Sequence, residues 1–183
     1  MKKQTAPKPT RLSHKTIKIP PPPTPEEEWT SFGQRLAQTI ADMDEDEFLI
    51  IEEKKRLVYA QFSAQGFFGM RVETVSPAFC KIEPSLSKTN FATLRKLGWK
   101  DPTYIHKSGQ PEPTKGSCNY YIDTGFPVPF SDVAELVVRT LRDVYRTRYP
   151  GALRYCAFAS NDTYKIRFSS LGLKRRDEWQ KTE

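Results

Sequence analysis

A chain of 183 residues is long enough for one ordinary core and, once its irregular ends are set aside, too short for two. No apolar run approaches the roughly 20 residues that a membrane helix requires, and the Lys-rich start leads into Pro and polar residues. A cytoplasmic protein without membrane contact is therefore expected. The formal charge of +7 belongs to the ends: residues 1–23 hold six basic and no acidic groups and residues 164–183 six basic and three acidic, leaving the middle at −2, so the domain itself is not built to bind phosphate.

Residues 1–23 contain Pro7, Pro9 and the run Pro20 to Pro23, with little apolar area to bury, and read as a disordered Pro/Lys-rich leader. A helix follows. Thr24 as N-cap, Pro25 at the first helical position and Glu27 three residues after the cap make a capping box, and Trp29, Phe32, Leu36, Ile40 and Met43 recur on one stripe. After the acidic turn Asp42 to Asp46 come three strand-like runs, Phe48 to Ile51, Arg56 to Phe62 and Phe67 to Val75. If Phe68, Met70 and Val72 face the helix, then Val58, Ala60 and Phe62 join them, together with one alternate set from the first strand. Leu57, Tyr59, Phe67 and either Leu49 or Ile51 are left on a second face too apolar to stand in water.

A second helix is expected from Leu86 or Thr89 to Leu97, ended by Gly98 and Pro102, with Trp99 at its exit. Tyr104 and Ile105 suggest a short strand before the Ser108 to Gly116 loop, and Asn119 to Asp123 a further one. The last helix, capped by Ser131, carries Val133, Leu136, Val137, Leu141, Val144 and Tyr145 at core spacing and stops near Tyr149. Tyr155 to Ala159 is then a strand or a helical turn. The expected chain is a leader over 1–23, a single α+β domain over 24–160 and a basic, loosely ordered tail over 161–183.

The order helix, three-stranded meander, helix, strand, helix and the phrases DEDEFLIIEE at 44–53, VYAQF at 58–62, LRKLGWKDP at 94–102 and TLRDVYRTRYPGALRYCAF at 140–158 together resemble the TY-Chap family. These are bacterial domains related to the YbjN-like proteins and to type III secretion chaperones, and the similarity covers about residues 26–158. The resemblance implies an α+β fold with helices packed on an antiparallel sheet. It also implies a hydrophobic surface that holds an extended segment or amphipathic helix of a client protein, without enzymatic activity.

The residues offer little to catalysis. His14 lies in the leader and His106 in a loop, so no histidine pair forms within the fold, and Cys80, Cys118 and Cys156 are an odd, widely spaced set without CxxC spacing. The carboxylates of Asp42 to Glu47 run consecutively rather than at calcium-loop spacing, and Gly66 and Gly69 do not make a phosphate loop. No catalytic residue, metal or cofactor is expected.

The leading expectation is a non-enzymatic peptide-binding chaperone or adaptor that contacts its client through Leu57, Tyr59 and Phe67, extended by Trp99 and Tyr121. A self-partner covering the same face, as a homodimer, is the alternative occupant. The competing functions are a nucleic-acid accessory protein using Lys2, Lys3, Lys8, Arg11, Lys174, Arg175 and Arg176, or an immunity or inhibitor protein that recognises one target.

Overall fold

The computed structural model describes residues 24–77, 86–105, 116–160 and 166–176. The expected leader, Cys80, both histidines and most of the Ser108 to Gly116 loop lie outside the described residues.

Helix α1, Pro25–Ala41, starts as its sequence requires. The Glu27 amide donates to the Thr24 hydroxyl at 3.3 Å and the Thr24 amide donates to the Glu27 carboxylate at 2.7 Å, which holds the Glu27 carboxyl below its ordinary range. Its stripe of Trp29, Phe32, Leu36 and Ile40 is buried. The meander follows as β1, Glu47–Glu53, β2, Tyr59–Ala64, and β3, Met70–Thr74. Helix α2, Lys88–Leu97, has its own capping box between Ser87 and Asn90 and ends at Gly98, whose φ of +104° explains why glycine stands there. Strand β4 is Tyr120–Thr124, and helix α3, Phe130–Arg139, runs into a π-helical turn over Thr140–Val144. Strand β5 is Leu153–Ala159 and the short β6 is Lys174–Arg175.

Among the described residues the strands form one sheet in the order β4-β3-β2-β1-β5-β6, antiparallel except for β5 and β6. This α+β arrangement of helices on a mostly antiparallel sheet is the expected class. Alternation along the strands sends Leu49, Ile51, Ala60, Phe62, Met70, Val72, Tyr120, Tyr155 and Ala157 to one buried face. The helices cover that face. Buried side chains of α1, α2 and α3 join it in a single core.

Several expectations need correction. Leu49 and Ile51 share a face, as a strand requires, and both are buried, so Phe48 and Ile50 turn to the opposite side. Phe68 is not in the core. Gly66–Phe68 forms a 3-10 turn and Gly69 takes φ +97°, so the alternation begins only at Met70 and Phe68 is 83% exposed. Tyr104 and Ile105 form no strand, and the last helix is over by Val144 rather than Tyr149.

Past the expected domain end at 160 the described chain continues to touch the body of the fold. Ile166, Phe168 and Leu171 are buried in the core, the Arg35 side chain donates to the Leu171 carbonyl at 3.2 Å, and Arg176 pairs with Glu52 at 3.2 Å. Residues 166–176 are packed structure rather than a loose tail.

Candidate functional site

Among the described residues, the helix-free face of the sheet divides by chemistry. Its β3–β4 half is polar: Arg71 forms a forked pair with Asp123 at 2.7 and 3.2 Å, which raises the guanidinium's affinity for its proton. The Tyr59 hydroxyl donates to the Asn119 carbonyl oxygen at 3.0 Å, and the Asn119 amide donates to Glu73 at 3.2 Å. Two cations stand near the Tyr121 ring centroid, the Arg71 guanidinium carbon at 5.3 Å and the Lys100 ammonium at 5.6 Å. The β1–β5 half is apolar at its Phe48 end and charged at the other, where Arg154 pairs with Glu52 at 2.7 Å. Phe48 and Phe158, opposite each other in register, stack with ring centroids 5.1 Å apart, beside the Ile50 and Cys156 pair.

A more open apolar feature sits at one end of the sheet, where the β2–β3 turn meets the β4–α3 connection. Phe67 is 87% exposed and Phe126 67% exposed, with ring centroids 6.0 Å apart. Burying large apolar groups is the usual outcome of folding, so two exposed phenylalanines in contact on one rim mark a surface with a use. Phe67 and Phe126 border a groove of about 270 Å³ between the end of α1 and the start of α3, lined by Ile40, Met43, Met70, Val128 and Phe130. The turn is held by close backbone approach: a Cβ on Gly69 would come 1.8 Å from the Thr124 carbonyl oxygen, so only glycine lets β3 and β4 close here. Glu45 is the groove's charged wall, its carboxylate lying directly against Gly66.

The structure does not bring the five expected contact residues together. Phe67 stands on the groove rim. Leu57 is exposed in the β1–β2 hairpin at the other end of the sheet, while Tyr59 and Tyr121 belong to the polar half of the open face. Trp99 is corrected outright, being 3% exposed, with its indole N–H donating to the Thr140 hydroxyl at 2.9 Å. Of the basic residues expected for nucleic acid, Lys174 is exposed on β6, Arg175 is half-buried and Arg176 is paired with Glu52, whereas Lys2, Lys3, Lys8 and Arg11 lie outside the described residues. Phe126, Phe48 and Phe158 were missed. A phenylalanine between Gly125 and Pro127, in a loop with no helical or strand face to bury it, was the signal available for the first.

Compared with known families, residues 22–159 match TY-Chap3, described as T3SS (YopN, CesT) and YbjN peptide-binding chaperone 3. The chain belongs to the TY-Chap3 family. The match covers the helix-sheet body through β5, so the resemblance drawn from the short phrases holds over residues 22–159. No curated protein and no solved structure matches it. TY-Chap3 is a family of peptide-binding chaperones, and the groove belongs to the matched region. No helix among the described residues is long and apolar enough to cross a membrane.

Proposed function

We propose that this TY-Chap3 chain is a non-enzymatic chaperone that holds apolar side chains of a client segment in the groove at the end of the sheet. The observation that carries the reading is the exposed rim of Phe67 and Phe126 on a groove with a Met and Ile lining. Aromatic rims exclude water around a buried anchor, and flexible methionines let one groove accept different side chains. Nothing in this mode of holding needs a cofactor or a bond-breaking step; affinity comes from apolar burial less the cost of ordering the client.

The test is to select peptides from a random library on the full-length chain and compare their affinities for the wild type and a Phe67→Ser/Phe126→Ser variant. Both rings are exposed, so stability should change by only about 0.5 kcal/mol each. Losing about 1 to 2 kcal/mol of contact at each ring weakens binding roughly 30-fold or more. Unchanged affinity for every selected peptide removes the groove from consideration.

The stacked Phe48–Phe158 pair favours a second reading, in which an extended client lies on the apolar patch around these two rings on the helix-free face. A Phe48→Ser/Phe158→Ser variant separates the two, since only the surface in use loses affinity.

A further inference from the structure

From the charge around the groove we infer the chemistry of its client, an inference that rests on the groove reading above: the segment it takes joins large apolar side chains to flanking Lys or Arg. Asp42, Asp44, Glu45 and Asp46 lie along the connection from α1 to β1 and Glu47 opens β1, and Met43 and Glu45 of that connection line the groove. Asp42, Asp44, Glu45 and Asp46 are exposed. Asp46 is tied to the groove's floor through its amide, which donates to the Ala64 carbonyl at 3.0 Å.

Among the described residues none of these five carboxylates forms an ion pair, in a chain whose formal charge is +7. Helix α1 ends at the same place with no basic residue in its last turn, so the C-terminal end of the helix adds partial negative charge there. Nor do the carboxylates converge on a chelating point, since no group of three potential ligands capable of holding a metal ion occurs among the described residues. The rim therefore acts as a field rather than as a metal cage. Such a field beside an apolar groove selects ligands by complementarity: a cationic flank is drawn in while its apolar neighbour is buried, and an acidic flank is repelled.

The experiment uses the full-length chain and two labelled peptides with the same Leu/Phe core, one flanked by lysines and one by glutamates. Anisotropy is followed at about 50 and about 500 mM salt, where the screening length falls from roughly 14 to roughly 4 Å. The Lys-flanked peptide should bind about tenfold more tightly at low salt and only about twofold more tightly at high salt. An Asp44→Asn/Glu45→Gln/Asp46→Asn variant should lose most of that preference, binding the two peptides within about twofold of each other at low salt. Asn also suits the left-handed backbone of Asp46, at φ +65°.

Equal binding of the two peptides, or a preference that persists in the neutralised variant, overturns the charge selection. If the Phe67→Ser/Phe126→Ser variant still weakens both peptides, that failure leaves the groove reading standing. If it weakens neither, the groove reading falls as well.

Discussion

Trp99 shows how a single buried hydrogen bond decides whether an aromatic residue is structure or surface. Its indole N–H donates to the Thr140 hydroxyl, which itself donates to the Leu136 carbonyl at 2.8 Å, so the ring ties the exit of α2 to the π-helical turn after α3. The chain opens its helical ladder at that turn, and the Trp99–Thr140 contact is one of the bonds formed across it. Trp99→Phe removes the donor and part of the ring volume, but leaves Thr140 its bond to Leu136. A loss of about 1 to 2 kcal/mol in denaturant unfolding is expected, with no change in peptide affinity. A variant of normal stability with weakened peptide binding would restore Trp99 to the client surface. Tyr145 makes a similar tie. Because the Thr74 hydroxyl donates to the Tyr59 carbonyl at 2.6 Å, the Tyr145 hydroxyl, 2.7 Å away, must be the donor to Thr74.

At the scale of the element, the turn between β2 and β3 carries the rim and depends on Gly69. Gly69→Ala sets a Cβ against the Thr124 carbonyl and forces an L residue into φ +97°, two effects that together cost about 3 kcal/mol or more. Gly125→Ala, one residue beyond β4, has open space around its Cβ and should shift stability by less than about 1 kcal/mol. Thermal unfolding of the two variants side by side checks this, and equal melting temperatures would show that the turn does not need its close approach.

The same turn marks where the sequence stops being legible. The capping boxes and stripes that define α1 and α2 are local signals, visible in the order of Thr24, Pro25 and Glu27 or in Gly98 after Leu97. The start of β3 is not local in that sense. Phe68, Met70 and Val72 alternate as a strand would, and only the backbone angle at Gly69 excludes Phe68 from it. The pairing of β5 beside β1 joins residues about a hundred positions apart, so no window of sequence contains it. The groove was half legible for the same reason: Phe67 stood out as an apolar residue without a core position, but its partner Phe126 arrives from a distant loop.

For the whole molecule, the extent of the folded body is the question that composition answers wrongly. The segment after β5 is basic and reads as a tail, yet residues 166–176 place Ile166, Phe168 and Leu171 against the core and add β6 to the sheet edge beside β5. The Phe168 amide donates to the Tyr155 hydroxyl at 3.2 Å, and Arg176 and Arg154 converge on the Glu52 carboxylate, both reaching Oε1, at 3.2 and 2.7 Å. Fully burying an Ile, a Phe and a Leu is worth about 1.5 to 3 kcal/mol each as an upper estimate, comparable in sum with the total stability of an ordinary domain. Truncation after Ser160 should therefore leave a chain that melts far below the full-length protein or does not fold, because it uncovers the core under α1 as well as removing the segment itself. Truncation after Arg176 should melt within a few degrees of full length. Circular dichroism melts of the three chains decide the matter: if the chain ending at Ser160 is as stable as the one ending at Arg176, the contacts of Leu171 and Phe168 contribute nothing and the folded body ends with β5.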